Sequence, residues 1–180
     1  MNRVAKFEKV SYEQFRKDMI ETFNLDVHGI DGITTENLIK KLYDEIKLPQ
    51  RATGGSAGYD FFAPYDLNFP PNRTNKIPTG IRVKMNDDYV LMCFPRSGLG
   101  FKYRMRLDNT VGVVDSDYYG SNNEGHIFLK MTNETLDGKE LKIHQGDAFA
   151  QGVFLQYGIT VDDEADGIRN GGFGSTDRKE

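Results

Sequence analysis

Several things are scarce in this chain, and each scarcity closes off a class of explanation. There is one cysteine, Cys93, so no disulfide can form within the chain. No apolar run approaches the roughly 18 residues that would read as a membrane span, and the N-terminus carries no apolar signal-peptide segment. Together these point to a soluble, intracellular, simply cytoplasmic protein with no membrane role. Basic residues are not in excess. The 23 Lys and Arg against 27 Asp and Glu leave a net charge of −4, which argues against a nucleic-acid backbone as partner. An anionic small ligand stays open, because local charge can oppose the global sign. No repeat of fixed period is visible, and no His/Cys/carboxylate cluster has metal-ligand spacing. His28, His126 and His144 form no constellation.

What is present fits one domain, or one domain with an appendage, in 180 residues. A chain of that size buries roughly 70% of its unfolded surface. Residues 1–48 read as a helical extension. Ser11 and Gln14 make an S-x-x-Q capping box, and Val10 can staple onto Phe15. Tyr12, Phe15, Met19, Ile20 and Phe23 then share one face. Two glycines in VHGIDGITT break that helix. Thr35 caps a second, with Leu38, Ile39, Leu42, Tyr43 and Ile46 as its stripe, and Pro49 ends it. From Ala57 the apolar period becomes two. Ile81, Val83 and Met85 alternate with Arg82 and Lys84, and YVLMCF reads as a buried strand holding Cys93. Further short strands are expected near 111–115, 126–132, 140–143 and 148–156, which suggests a β-sandwich or barrel over residues 49–166. From Asp162 the chain turns acidic, and residues 167–180 are a glycine-rich tail with nothing to bury.

Five segments do not look like generic sheet. AGYDFFAP sets Gly58 ahead of Asp60. PRSGLGFK puts Arg96, Ser97 and Gly98 after a strand. They read equally as phosphate donors or as a plain loop with a solvated arginine. NTVGVVDSDYYG runs from Asn109 through an apolar strand into Asp115 and Asp117, which alternation would place on one face. A carboxylate at a strand end can orient a water, though an Asx turn is the blander reading. GDAFAQGVF carries Gln151 among apolar neighbours, and a buried amide must be hydrogen-bonded. IRNGGFGST offers Arg169, Ser175 and Thr176 as phosphate-type donors around Phe173, an aromatic with no core to enter. It lacks the G-x-x-x-x-G-K-S/T pattern.

In this order, the five segments resemble the five motifs of the trimeric dUTP pyrophosphatases, from about Ala52 to Thr176. The resemblance implies a mainly β, jelly-roll-like barrel with a helical N-terminal extension, assembled as a homotrimer with active sites between subunits. It implies hydrolysis of dUTP to dUMP and pyrophosphate, with Mg²⁺ held mainly by the substrate phosphates. Asp115 matches the carboxylate that activates the attacking water. Asn109, Gly112, Val113 and Val114 match the uracil pocket, and Tyr118 the ring under the deoxyribose. Arg96, Ser97 and Gly98 match the phosphate loop, and Gln151 a glutamine near it. Phe173 matches the tail aromatic over uracil, with Gly174, Ser175 and Thr176 toward the γ-phosphate and Arg169 as the tail arginine. Asp60 and Asp117 are implied to support the framework.

The chain departs from that pattern in places. Tyr119 stands where arginine or glutamine is usual, and the loop Gly120–His126 is longer than the usual hairpin exit. Arg169 lies four residues before Phe173 rather than five, and Asp177 replaces a common glycine. The nearest alternative is a dCTP deaminase-like enzyme of the same fold, but Lys130 stands where its glutamate would be. Another is a nucleotide-binding regulatory protein that meets a protein partner through residues 1–48.

Overall fold

The computed structural model describes residues 2–27 and 29–169, with the backbone alone at 29–31. The chain opens with strand β1 (Ala5–Lys9) and helices α1 (Tyr12–Phe23) and α2 (Gly29–Glu45). Strands β2 (Tyr59–Phe62), β3 (Leu67–Phe69), β4 (Thr74–Pro78), β5 (Ile81–Met85) and β6 (Tyr89–Pro95) lead to a short helix α3 (Ser97–Tyr103). Strands β7 (Met105–Leu107) and β8 (Gly112–Val114) follow, then a 3-10 turn at Ser116–Gly120. Strands β9 (Phe128–Asn133), β10 (Leu141–Ile143) and β11 (Ala148–Gln156) complete the fold.

The architecture is mainly β, with the strands in four open antiparallel ladders. Their orders are β1–β5, β10–β3, β2–β11–β6–β8 and β4–β9–β7. Alternation explains the inward faces. Ile81, Val83 and Met85 of β5 are buried while Lys84 faces water. Phe61, Phe69, Phe149, Leu91 and Met131 close the core between the ladders.

The N-terminal segment differs most from its sequence reading. Residues 5–9 are a strand, not helix. They pair along β5 from Ala5↔Met85 to Lys9↔Ile81, which covers an edge that would otherwise leave backbone groups unpaired. Helix α2 starts at Gly29 rather than after Thr35, so VHGIDGITT does not break the helix at its second glycine. A Cβ on Gly32 would lie 2.2 Å from the Val27 carbonyl carbon, so glycine there lets the turn close. Leu38, assigned to the apolar stripe, is 55% exposed, whereas Ile39, Leu42 and Ile46 are buried. PRSGLGFK is largely the helix α3 rather than a loop.

Both N-terminal helices bury apolar side chains in the same core as the strands. Val10, Phe15 and Met19 are buried there with Ile39, Leu42 and Ile46. Ser11 caps α1 by accepting the Gln14 N–H at 3.1 Å. Gln14 does not complete the box, because its amide donates to Asp18 at 2.8 Å. Glu124 closes it from 113 residues away. Its carboxylate accepts the Ser11 N–H at 2.8 Å and the Ser11 hydroxyl at 2.7 Å. Two departures from the family pattern, Tyr119 and the long loop, serve the same attachment. The Tyr119 hydroxyl donates to Glu8 of β1 at 2.8 Å, and the Arg82 guanidinium lies 3.6 Å from the centre of the Tyr119 ring.

Partial burial opposes ionisation of Glu124, but the two Ser11 hydrogen bonds and the Arg82 charge prevail and hold its carboxyl below the ordinary range. A carboxyl depressed on folding stabilises the fold fully above its unfolded pKa, and that gain is lost as pH falls through the folded one. Glu124→Gln is expected to cost about 1 kcal/mol at pH 7, since the group is partly exposed. Chemical unfolding at descending pH checks this. The gap between variant and parent should close in the acid range, and a gap independent of pH would contradict the assignment.

Candidate active site

Strand β8 pairs with β6 through Leu91↔Val114, Met92↔Val113 and Cys93↔Gly112. Gly112 permits this closeness, because a Cβ there would lie 3.1 Å from the Cys93 Cβ. The Cys93 thiol is fully buried, and burial pushes its pKa up to about 12, so it is a packing group and not a nucleophile. Beside this ladder lies a cavity of about 290 Å³. Its wall is Asn109, Val111, Gly112, Val113, Val114, Asp115 and Tyr118, with Cys93, Ile127, Phe128, Leu129 and Arg169 completing it.

The strand ends at Val114, and Asp115 begins a 3-10 turn with extended backbone, φ −80° and ψ 159°. Asp115 and Asp117 are therefore not successive same-face residues of one strand, as alternation suggested. The turn still brings them to one group. Arg169 donates from Nη2 to Asp115 at 2.5 Å and from Nε to Asp117 at 2.7 Å. Asp115 remains half-exposed, at 46% of its side chain. A guanidinium spanning two carboxylates at a cavity mouth offsets their repulsion there.

Tyr118 is buried against the same cavity. Its hydroxyl donates to the His126 carbonyl at 2.8 Å and accepts from the Asn123 amide at 2.8 Å. Burial raises the phenol pKa against the opposing Asn123 bond, so the hydroxyl stays a neutral donor. His126 is fully buried. Its Nε2 accepts the Gly80 N–H at 2.7 Å, which leaves the proton on Nδ1, 2.5 Å from the Asp18 carboxylate. Sequence reasoning gave His126 no role, and Asp18 and Asn123 were not singled out. No local signal marks them, since Asp18 and His126 are 108 residues apart.

A second cluster gathers the remaining described candidates. Asp60 of β2 faces Gln151 of β11 in register, and Arg96 Nε lies 3.2 Å from the Asp60 carboxylate. The Gln151 amide donates to the Pro95 carbonyl at 3.3 Å. A Cβ on Gly58 would lie 2.6 Å from Gln151 Oε1, so the glycine makes room for that amide. Ser97 and Gly98 are exposed in the first turn of α3. None of Asp60, Arg96, Ser97, Gly98 and Gln151 lines the cavity beside Asp115. Within one chain, then, the described candidates form two groups rather than one. Phe173, Gly174, Ser175 and Thr176 lie outside the described residues, as does Asp177. Among the described residues no three His, Cys, Asp or Glu side chains gather where they could hold a metal ion, and no helix is long and apolar enough to cross a membrane.

Comparison with known proteins adds a family. The dUTPase profile matches residues 44–177. A deoxyuridine 5'-triphosphate nucleotidohydrolase from Lactococcus lactis subsp. lactis is 41% identical over 134 residues, which are 73% of this chain and 88% of that protein. The crystal structure of dUTPase from Streptococcus mutans aligns with a TM-score of 0.58 at 36% identity, covering 67% of this chain and 91% of that one. A mutant dUTPase from phage phi11 of S. aureus, described for its coordination of a structural Mg(II) ion, aligns with a TM-score of 0.56 at 20% identity, a likeness of fold alone. It covers 69% of this chain and 92% of the phage protein.

The cavity wall depends on Gly112. A methyl in Gly112→Ala would press on the Cys93 Cβ, which would have to give by a few tenths of an ångström, and the change is expected to cost about 1–3 kcal/mol. Urea unfolding checks this: the midpoint should fall with an unchanged slope, and an unshifted midpoint would mean the ladder has slack.

Proposed function

The chain belongs to the dUTPase family, and from that premise we propose that it hydrolyses dUTP to dUMP and pyrophosphate, with Asp115 as base toward the attacking water. One observation supports this reading above others. A half-exposed carboxylate, Asp115, lines a cavity of about 290 Å³, at the low end of ligand pockets. A nucleoside seated there would bring its phosphates toward Asp115.

Backbone groups of the hairpin around Gly112–Val114, with Asn109, would pair the uracil edge. A buried pairing edge of fixed donors and acceptors rejects cytosine by leaving its own groups unsatisfied. The Tyr118 ring would lie against the deoxyribose and leave no space for a 2′-hydroxyl. Asp115 accepts a proton from water as the water oxygen attacks the α-phosphorus. The bond from that phosphorus to the α,β-bridging oxygen breaks, and pyrophosphate leaves with the electron pair. Arg169 pairs with Asp115 and would have to release it for the carboxylate to act. Its positive charge would then be available to the phosphates.

Arg96, Ser97, Gly98 and Gln151 suit phosphate oxygens but do not line the Asp115 cavity of their own chain. On the family reading, the phosphate group of one copy would lie beside the cavity of another in a homotrimer with shared sites. The tail residues Phe173, Gly174, Ser175 and Thr176 are proposed to cover the bound nucleotide. Mg²⁺ is proposed to arrive on the triphosphate and offset its charge, and Asp60 to hold Arg96 in place.

Asp115→Asn should fold, bind dUTP and hydrolyse it at least ~10²-fold more slowly, as for loss of a general base. Pyrophosphate release from dUTP with Mg²⁺ reads this, and full activity would remove Asp115 from the mechanism. Ending the chain at Asp166 should keep the oligomer and abolish turnover. Normal turnover would rule out both Arg169 and the tail.

A further inference from the structure

The loop from Ser121 to His126 does more than lengthen the hairpin exit. Tyr118 has two fixed points: its backbone in the 3-10 turn, and its hydroxyl at the far end of the ring. The far end is held entirely from this loop. It donates to the His126 carbonyl and accepts from Asn123, both at 2.8 Å. Asn123 is itself held, because its carbonyl oxygen accepts from the Ser121 hydroxyl at 2.7 Å and the Gly125 N–H at 3.2 Å.

The carbonyl that receives the Tyr118 hydroxyl belongs to the residue whose ring is held by Asp18 and Gly80. On the N-terminal side, Asp18 of α1 takes its Nδ1 proton at 2.5 Å, and the Phe15 ring centre lies 6.2 Å away. The Gly80 N–H binds Nε2 at 2.7 Å, and the ring of Phe128, which lines the cavity, is 4.5 Å away. Asp18 is 7% exposed and His126 fully buried, so neither contact is exchangeable with water. A buried, satisfied polar chain of this kind fixes one arrangement of the groups it joins. It runs without a gap from helix α1 to the wall of the nucleoside cavity.

We propose that Asp18, His126 and Asn123 are positioning residues for Tyr118. By fixing the depth of its ring, they set the preference for a 2′-deoxyribose over a ribose triphosphate. The N-terminal helix is thereby a specificity element and not only a packing layer. The inference rests on the reading above that the Tyr118 ring bars a 2′-hydroxyl. Steric rejection of one hydroxyl tolerates little displacement, because overlap energies rise over tenths of an ångström. Releasing the far end of the ring should therefore admit ribose before it stops the chemistry at Asp115.

The test is kcat and KM for dUTP and for UTP, read as pyrophosphate release with Mg²⁺. Asn123→Ala and Asp18→Ala should each lower the ratio of kcat/KM for dUTP over UTP about 10-fold, the size of one lost net hydrogen bond, with kcat for dUTP nearly unchanged. Asp18→Asn keeps an oxygen for the His126 proton and should restore the ratio to within about twofold of the parent. Tyr118→Phe should lower the ratio like Asn123→Ala, and adding Asp18→Ala to it should lower it no further. Tyr118→Ala is the reference for the underlying reading. If it leaves the ratio unchanged, the ring is not the sugar gate, and that reading falls together with this inference. If it collapses the ratio while Asn123→Ala, Asp18→Ala and Tyr118→Phe keep the parent value, the gate stands and the positioning chain is refuted. Should Asp18→Ala fail to fold, Asn123→Ala and Tyr118→Phe decide the question.

Discussion

The interaction on which the rest depends is the burial of one imidazole. A histidine with no exposure loses both of its water partners, and an unmet ring nitrogen would cost about 1–3 kcal/mol. Here both nitrogens are met, one by the Gly80 backbone and the other by Asp18. The ring and its two partners come from three distant parts of the sequence, so satisfying the ring fastens α1, the residue before β5 and the loop before β9 to one another. Gly80 has φ +73°, and a Cβ there would lie 2.3 Å from the Ile46 side chain, so the fastening also needs a glycine beside α2. Losing either partner would leave a buried ring nitrogen unpaired.

The fastened loop borders the candidate active site. The β6–β8 ladder supplies part of the cavity wall, and Tyr118 and Phe128, which flank the fastened loop, line it too. Asp115 also lines it, with Asp117 joined to it through Arg169, in a chain whose net charge is already −4. A triphosphate bound there, as proposed, would need compensation. Arg169 already spans the two carboxylates, and Arg96 sits in a separate cluster on Asp60. The separation of the Asp115 cavity from the proposed phosphate donors is what a site shared between copies would require. On that proposal, assembly would be a condition of catalysis.

The part of this legible in sequence was the part set by neighbours in sequence. Strands β5, β6 and β11 follow from alternation and apolar runs, as does the burial of Cys93, and the Ser11 cap follows from its local pattern. The five chemical segments were recognisable, and the structure groups Asn109, Gly112, Asp115 and Tyr118 around one cavity. What escaped depends on partners far along the chain. Strand β1 is a strand because β5 offers it an edge, and nothing in AKFEK says so. Glu124 completes a cap that Gln14 was expected to complete. Asp18 lies in the buried side of an amphipathic helix, where a charge looks like noise until His126 is seen against it. Tyr119 and the long loop looked like departures from a family pattern, and they add contacts that hold the N-terminal segment to the sheet.

The most direct measurement is a crystal structure of the chain with a non-hydrolysable dUTP analogue and Mg²⁺. Uracil is predicted between Asn109 and the Gly112–Val114 backbone, with the Tyr118 ring against the deoxyribose. The α-phosphorus should lie one water away from Asp115, and Arg96 of a neighbouring copy should lie on the phosphates. Uracil bound elsewhere, or an Asp115 carboxylate out of reach of any water near the α-phosphorus, would contradict the account.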